Sequence, residues 1–584
     1  MRTSLLLILL ICCDRCCLAD DAVVLGGKII KTCDIGVASA AVARLEAYLK
    51  SGEKSDGSIV LGDASVAGQY GVAAPDEKSE ESFSIAPVSR DGPRLIISGR
   101  SDKGIKQGVY YVLRNLTHED GKMLLRHPTT RSSPVIKRRV SHVGGYTRQA
   151  FDRETGKRLP KGVPVSAEQL PWNYITFWDP QRIADYIDLL DFFGYNGIEE
   201  PPMLYNPKEN ADPVAVARRK VVRERIERNG MIAVAKIDGT LFANGPVPYG
   251  SDTKAQYDQY YRQMAEAAAP YNDFLLTHWV DAGGWKGDAE HPCTIELLQR
   301  LHMQIDGEFR RVNPRIESFL SLWFLDHPNY QRWLGYQGVE TILNNATTPK
   351  SVGLAMSRNY RPDESQTIAT AGRKPAVWGW YTADHELLYT MHVHTHALGD
   401  YFGQLPPDAG ELLFLHTLDN CQRETNIYTV YVGAQMMWNP KGDPEEYLRD
   451  VARLVYGPKL EDKVFRALKA IADVRCGKKC SGCWTPAAKS DSNDVVTFGQ
   501  GYAQATAAYK EIETVELDKD YVPPIHFHRS PQVLLTELKE HTQAVAAYMA
   551  FLKDKQQGKT PATEVPKAPG PFEYYERLRY LQNR

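Results

Sequence analysis

The order of apolar and polar positions divides the chain into three regions with different periodicities. In the first, residues 21–130, short β-branched runs at 57–61 and 94–98 alternate with amphipathic stretches at 40–49 and 104–113. β-branched runs bounded by glycine are typical of strands, and apolar residues three or four positions apart are typical of helices. The pattern therefore predicts a small α/β domain with two helices packed against a sheet.

In the second region, residues 135–440, apolar strand-like runs alternate with amphipathic helices. Repeated strand-then-helix units predict parallel strands, and eight of them predict a (β/α)₈ TIM barrel. An open doubly wound sheet is the alternative, but no glycine-rich phosphate loop follows the first run. The eight runs are 139–145, 194–201, 231–239, 273–283, 317–325, 338–344, 375–382 and 411–419.

The third region, residues 441–584, has helical periodicity. Asp443, Pro444 and two glutamates form a typical helix start, and Gly457 is a typical helix end. Further helices are predicted at 500–513 and 530–552. We expect this region to pack as helices against the barrel.

Composition adds limits to this picture. Apolar residues make up 43% and charged residues 24% of the 584 residues, which excludes a disordered or collagenous chain. The formal net charge of −2 gives no electrostatic case for nucleic acid as a partner. Residues 1–20 have a positive start, a short apolar run and a small residue before the end, as in a secretory signal peptide. We therefore expect a secreted or periplasmic protein, with no transmembrane segment in the chain that follows.

Six cysteines follow the predicted signal peptide, too few for a disulfide scaffold in a chain of this length. Cys476, Cys480 and Cys483 lie close together and favour a local disulfide clip. Zinc is the alternative, but it would need a fourth ligand that the neighbouring sequence lacks. We predict no metal and no other cofactor.

Candidate chemistry lies at the strand ends, because the loops that follow parallel barrel strands converge on one face. Asp281 lies near the end of the fourth run and is flanked by Trp279 and Trp285. Asp384 and Glu386 follow the seventh run, two positions apart, so on an extended chain both would face one side. Substrate contacts are expected from Glu200, Asp419 and Arg423 and from the tryptophans Trp279, Trp285, Trp378 and Trp380, at least two of which should stack on a sugar ring.

Carboxylates beside tryptophans suit the hydrolysis of a glycosidic bond in a poly- or oligosaccharide. One acid must protonate the leaving oxygen, and a second carboxylate must activate water or attack carbon. We expect Asp281 to be the general acid and Asp384 or Glu386 to be the base or nucleophile. Glu200 and Asp419 are the reserves. Glu199 stands before Glu200 and two prolines, and its alternative is a solvent-facing side chain.

His392, His394 and His396 form a run of alternating imidazoles that could hold zinc. Barrel hydrolases that use metal usually bring a histidine pair from the first strand, and here that strand offers only His142. A substrate-contacting or structural role for the run is therefore favoured. Any uronic acid substrate would need a cation in the pocket, for which Arg358 and Arg373 join Arg423 as candidates.

Residues 94–116 resemble the N-terminal non-catalytic domain of the α-glucuronidases and the β-N-acetylhexosaminidase-like glycosidases. In those families a strand leads into a helix that opens with an Asp, two Gly and a Tyr, matched here by Asp102, Gly104, Gly108 and Tyr110. The resemblance implies that this domain precedes a (β/α)₈ glycosidase barrel and that helices follow it.

Residues 183–201 and 427–457 resemble α-glucuronidase barrel segments. The resemblance places the general acid after strand four, where α-glucuronidases use Glu and this chain has Asp281, and it favours inversion. The adjacent acidic pair of the acetylhexosaminidases is absent, because Ala282 follows Asp281. The sequence thus predicts a secreted glycoside hydrolase; the alternatives are a non-catalytic carbohydrate-binding barrel and a metal-dependent barrel hydrolase.

Overall fold

The structure, a computed structural model, describes residues 23–558 apart from gaps of one to six residues and seven longer segments. These segments are 143–179, 200–212, 280–289, 323–337, 380–392, 417–426 and 476–497. The chain divides into two compact units: residues up to 134 together with 519–524, and residues 135–518 together with those from 525 onward. Across the described parts, no helix combines the length and apolarity needed to cross a membrane.

The described residues of the first unit form two sheets and three α-helices. Its elements are β1 (Val23–Leu25), β2 (Ile29–Lys31), α1 (Ser39–Leu49), β3 (Ile59–Asp63), α2 (Ala64–Gln69), β4 (Phe83–Pro87), β5 (Leu95–Gly99), α3 (Asp102–Asn115), β6 (Leu116–Glu119), β7 (Lys122–Leu125) and β8 (Thr130–Ser132). One sheet has the order β2-β3-β5-β4-β8, and the other is the antiparallel β1-β7-β6. The predicted helices at 40–49 and 104–113 and strands at 57–61 and 94–98 are confirmed.

The packing of α3 explains the two glycines of the motif at residues 102–110. The Ser101 side chain caps the helix by accepting a hydrogen bond from the backbone N–H of Lys103. Glycine is required at two positions, because a Cβ at Gly104 would lie 2.4 Å from the carbonyl oxygen of Ser82 and one at Gly108 would lie 2.6 Å from Ile97. The two glycines therefore let the helix lie directly on the sheet.

The segment 519–524 completes the first unit from far along the chain. The Tyr48 hydroxyl of α1 donates a 3.1 Å hydrogen bond to the carbonyl oxygen of Val522, 474 residues later. Tyr48 itself is buried. This unit is therefore not continuous in sequence.

The second unit is built around eight parallel strands. They are β9 (Arg138–His142), β10 (Gly197–Glu199), β11 (Ile232–Asp238), β12 (Phe274–His278), β13 (Glu317–Ser321), β14 (Gly353–Arg358), β15 (Pro375–Gly379) and β16 (Leu413–His416). Each strand pairs in parallel with the next, and β16 pairs with β9, so the hydrogen-bonded order is a closed ring. The predicted mixed α/β architecture is confirmed.

Helices separate successive strands of the ring, and more follow the last strand. They are α4 (Pro180–Phe193), α5 (Pro213–Arg228), α6 (Lys254–Ala268), α7 (Ile295–Val312), α8 (Glu340–Leu343), α9 (Pro362–Thr370), α10 (Thr395–Phe402), α11 (Ile427–Trp438), α12 (Pro444–Tyr456), α13 (Glu461–Arg475), α14 (Phe498–Glu513) and α15 (Pro531–Gln556). The predicted start of α12 is confirmed, because Asp443 accepts a 2.8 Å hydrogen bond from the N–H of Glu445. Gly457 ends that helix with a φ of 84°, a value that favours glycine.

The sixth strand of the ring is not where the sequence pattern predicted it. The run 338–344 contains the short helix α8. The buried Val339, just before the helix, and the buried Ile342, within it, stand three positions apart. The sixth strand is β14, which begins at Gly353 and contains no β-branched residue. The prediction at 338–344 was wrong because valine and isoleucine favour strands only weakly, and here their spacing of three buries them on one side of a helical turn.

Candidate active site

The predicted catalytic residues follow directly after the ends of ring strands in the sequence. β12 ends at His278, three residues before Asp281, and β15 ends at Gly379, before Asp384 and Glu386. All three carboxylates lie outside the described residues, so their roles stay predictions. The same applies to Glu200, Trp285, Trp380, Asp419 and Arg423, to His392 and His394, to the Cys476–Cys480–Cys483 run and to residues 1–20.

Below these ends, the interior of the ring is filled by an apolar layer. Its buried side chains come from six of the eight strands and pack together inside the ring. Interiors of eight-stranded barrels are packed in this way and are not pores. The layer consists of Val140, Val234, Phe274, Leu276, Phe319, Ala355, Ala376 and Trp378.

A polar layer lies next to it, toward the carboxyl ends of the strands. Side chains two positions apart in a strand face the same side, so Lys236 follows Val234 into the ring, and His278 follows Leu276. By the same rule Ser321 follows Phe319. Glu199 stands beside Val234 in the pairing of β10 with β11. The ring interior therefore changes from apolar to polar toward the carboxyl ends of the strands.

Lys236 and Glu199 form a buried ion pair within this layer. The Lys236 Nζ lies 3.8 Å from the Glu199 Oε1, and the side chains are 4% and 0% exposed. The same Nζ lies 4.4 Å from the centroid of the Trp378 ring, which is a cation–π contact. The solvent-facing alternative for Glu199 is therefore wrong: the strand pleat turns this side chain inward before the prolines begin.

His278 occupies the other part of the layer. Its ring centroid lies 4.8 Å from that of Trp378, and its Nδ1 lies 3.4 Å from the Ser321 Oγ. Trp378 thus contacts two side chains of the layer, Lys236 and His278. Its ring is buried at the boundary between the apolar and polar layers, and stacking on a sugar stays a prediction for it.

The end of β11 is fixed by two buried tyrosines of α6. The Tyr260 hydroxyl donates a 3.1 Å hydrogen bond to the carbonyl oxygen of Asp238, and the Tyr261 hydroxyl donates a 2.7 Å bond to that of Gly239. The Asp238 Oδ1 accepts a bond from the N–H of Thr240. Asp238 continues the inward series of β11, which makes it a further carboxylate at this end of the ring.

Trp279 is also buried, with 3% of its surface exposed. It packs on Gly239, where a Cβ would lie 2.3 Å from its ring. Glycine is therefore needed at position 239 to admit the indole. A sugar-binding role for Trp279 stays a prediction.

Arg373 does not lie where an anionic substrate would need it. It precedes β15, at the amino end of the strand, and its guanidinium donates to the carbonyl oxygens of Thr348, Pro349 and Val352. Burial lowers the pKa of this side chain, whose donors hold the turn before β14 together. Arg373 is therefore structural, and its candidacy as an anion-binding residue of the pocket was wrong.

His396 belongs to a charged network of the helices. Its Nε2 lies 2.6 Å from the Asp473 Oδ1, and the Lys469 ammonium contacts both Asp473 and Glu445. Burial works to raise the pKa of Asp473, but the hydrogen bond with His396 and the charge of Lys469 outweigh it and the pKa is lowered. Glu445, Asp473 and His396 are spaced as metal ligands would be, but the ammonium of Lys469 lies against both carboxylates.

The site lies on a fold found in known glycoside hydrolases. A structure of CpGH84B matches 97% of this chain and 94% of that protein, with a TM-score of 0.57 and 11% identity. BtGH115A, a 4-O-methyl-α-glucuronidase with specificity for decorated arabinogalactans, matches over 91% and 73% with a TM-score of 0.58 and 13% identity. A GH138 enzyme targeting pectin rhamnogalacturonan II matches over 89% and 68%, with a TM-score of 0.55 and 12% identity.

No family model and no curated protein matches the sequence. At 11 to 13% identity, the likeness to solved structures concerns the fold. The predicted resemblance to glycoside hydrolases of the α-glucuronidase and β-N-acetylhexosaminidase-like architecture is therefore confirmed at the level of the fold.

Proposed function

We propose that this protein is a glycoside hydrolase whose active site lies at the carboxyl ends of the ring strands. The observation that carries the proposal is the polar layer of Glu199, Lys236 and His278 above a closed apolar layer. Active sites of (β/α)₈ barrels lie at this end, built from the loops that follow the strands. The fold shared with glycoside hydrolases supports the carbohydrate as the class of substrate.

In this proposal Asp281 protonates the leaving oxygen, and Asp384 or Glu386 acts as base or nucleophile. A raised pKa suits a general acid near neutral pH, and a pocket walled by Trp279 and Trp285 would raise it by excluding water. The distance between the two carboxyl groups decides the configuration of the product: about 5–5.5 Å gives retention and about 6.5–9.5 Å gives inversion. Glu200 and Asp419 remain reserves, and Trp380 and Arg423 remain proposed substrate contacts.

Three finer proposals come from the sequence. Residues 1–20 direct export to the periplasm or beyond the cell, residues 135–440 form the catalytic (β/α)₈ barrel after the domain at 21–130, and residues 441–584 complete it as a helical region. The resemblance to α-glucuronidases adds a preference for α-linked uronides. Export is independent of the glycosidase proposal, whereas the catalytic role of the barrel and the uronide preference depend on it.

The test is turnover of a panel of aryl glycosides and defined oligosaccharides, uronides included, by the purified protein. Wild type is expected to release sugar from at least one member. Asp281→Asn should keep the fold and lower turnover by about 10²–10⁴-fold, the usual contribution of a positioned acid. Near-normal turnover by that variant would move the role to Glu200.

A non-catalytic carbohydrate-binding protein is the alternative on the same fold. It predicts binding of a panel sugar by calorimetry, with no turnover by wild type. A metal-dependent hydrolase would instead lose its turnover in chelator. The network around His396 already has a cation in Lys469, which supports a structural role for that histidine.

A further inference from the structure

Resting on the proposed function, we infer that Glu199 and Lys236 bind hydroxyl groups of the substrate sugar at the closed end of the pocket. Both side chains face into the ring directly above the apolar layer, at the end of the strands where the proposed catalytic carboxylates follow. A sugar that enters between the strand ends would therefore reach this pair last. No further space lies below it for a second sugar ring, because the ring interior is packed.

The chemistry of the pair suits a sugar diol. An ammonium group has three donors, a carboxylate has about four acceptor positions, and a hydroxyl group both donates and accepts. The 3.8 Å between the Lys236 Nζ and the Glu199 Oε1 is longer than a hydrogen bond, so the two groups attract each other as charges. Neighbouring hydroxyls of one sugar ring could donate to Glu199 and accept from Lys236 through charge-assisted bonds.

Stability alone does not account for this pair. Removing two charges from water costs more than their attraction usually returns, and apolar replacements are often neutral or stabilising. The pair also stands in a layer next to well-packed apolar side chains, where a valine or leucine would continue the core. A costly polar pair at the end of the ring where such sites lie is a reason to infer binding.

Trp378 has the role of a positioning residue in this inference. Its ring contacts both the Lys236 ammonium and the His278 imidazole. A lysine has four rotatable bonds, so holding its head group on an aromatic ring lowers the entropy lost when a ligand binds. Trp378 therefore acts on the sugar through Lys236.

The experiment is a cycle between protein variants and substrate analogues. The variants Glu199→Gln and Lys236→Met are measured on the best panel substrate and on its monodeoxy analogues. With the full substrate, kcat/KM should fall about 10- to 100-fold, the range for hydrogen bonds to charged groups. With the analogue that lacks the hydroxyl facing the pair, kcat/KM of the wild type should fall by a similar factor. The kcat/KM of each variant on that analogue should be little lower than its value on the full substrate.

Matched controls come from the amino end of the same ring. Glu317 and Lys374 form an ion pair there, so Glu317→Gln and Lys374→Met remove the same charges at the opposite end. Both controls should keep kcat/KM within about twofold of wild type, as expected for exposed pairs. Thermal unfolding of every variant separates folding losses from binding losses, and Glu199→Asp replaces Glu199→Gln in the cycle if the latter does not fold.

The outcomes separate this inference from the proposed function. Suppose the wild type is active, but the kcat/KM of the Glu199 and Lys236 variants falls by the same factor relative to wild type on every deoxy analogue. That result overturns the inference and leaves the glycosidase proposal standing. A wild type without turnover overturns the glycosidase proposal; sugar affinity by calorimetry then replaces kcat/KM in the cycle. Equal affinity of wild type and Glu199→Gln, or no sugar binding at all, overturns the inference.

Discussion

The two ends of the ring each carry a lysine–glutamate pair. The two pairs carry the same charges but differ in their N–O distance and in how far their side chains are exposed. At the amino end, Lys374 Nζ lies 2.5 Å from Glu317 Oε2, with side chains 53% and 37% exposed. Arg138 adds a second cation at 3.9 Å from the same carboxylate. At the carboxyl end, Glu199 and Lys236 are 0% and 4% exposed.

The difference separates an exposed pair, whose charges are solvated, from a buried pair, whose charges we infer to bind the substrate. Water and salt screen the exposed group, which contributes little to stability and can be replaced at little cost. The buried pair is costly to desolvate, and each partner depends on the other once it is inside. A barrel that has its substrate site at one end is expected to show this asymmetry, because only that end needs charges without bulk water.

The largest expected effect comes from breaking the buried pair on one side. Lys236→Met removes the ammonium group from beside the buried Glu199 carboxylate, and should lower the free energy of unfolding by about 3–5 kcal/mol. The double variant Lys236→Met with Glu199→Leu should recover most of that loss or exceed wild type. Urea unfolding at neutral pH measures all three proteins, and a double variant as unstable as the single one would contradict this view of the pair.

A buried histidine at neither end of the ring gives the next largest effect. His302 of α7 is fully buried, and neither ring nitrogen has a hydrogen-bond partner within the described parts of the chain. Burial lowers its pKa to about 4, and the charges of Arg310 and Arg373 add to the lowering, whereas Asp306 opposes it.

Because the unfolded chain binds this proton more tightly, the stability due to neutral His302 is present above about pH 6.5. It should be lost as the pH falls from 6.5 toward 4, by on the order of 3 kcal/mol in total. His302→Leu should flatten this part of the curve of unfolding free energy against pH. Equal pH dependence of wild type and variant would show that other groups titrate in this range.

The smallest effect is expected at the exposed pair. Glu317→Gln should change the free energy of unfolding by no more than about 1 kcal/mol, and by less at high salt. Chemical unfolding at two salt concentrations measures it. A loss as large as that of Lys236→Met would mean that exposure does not explain the difference between the two ends.

Much of the ring could be predicted from periodicity. Seven of its strands overlap apolar runs in the sequence, and after the ring the helix start at Pro444 follows from local chemistry. The sixth strand was missed because Gly353–Arg358 has no β-branched residue, and pairing with β13 and β15 on both sides overrides its weak propensity.

The polar layer has a weaker signal in the sequence. In β11, Lys236 and Asp238 alternate with buried alanine and isoleucine, which indicates an inward polar edge to a strand. That Lys236 meets Glu199 depends on the pairing of β10 with β11, and its contact with Trp378 depends on a strand four positions further around the ring. Such contacts follow from closure of the ring, which no local pattern contains.

The discontinuity of the first unit has a consequence for the order of events during synthesis. Its helix α1 leaves the ribosome early, but the segment 519–524 that completes the unit follows only after the whole ring has been made. N-terminal domains generally fold first as the chain emerges. Here the Tyr48 hydroxyl can bond the Val522 carbonyl only after a further 474 residues have been made, so a unit that starts before the ring is completed after it.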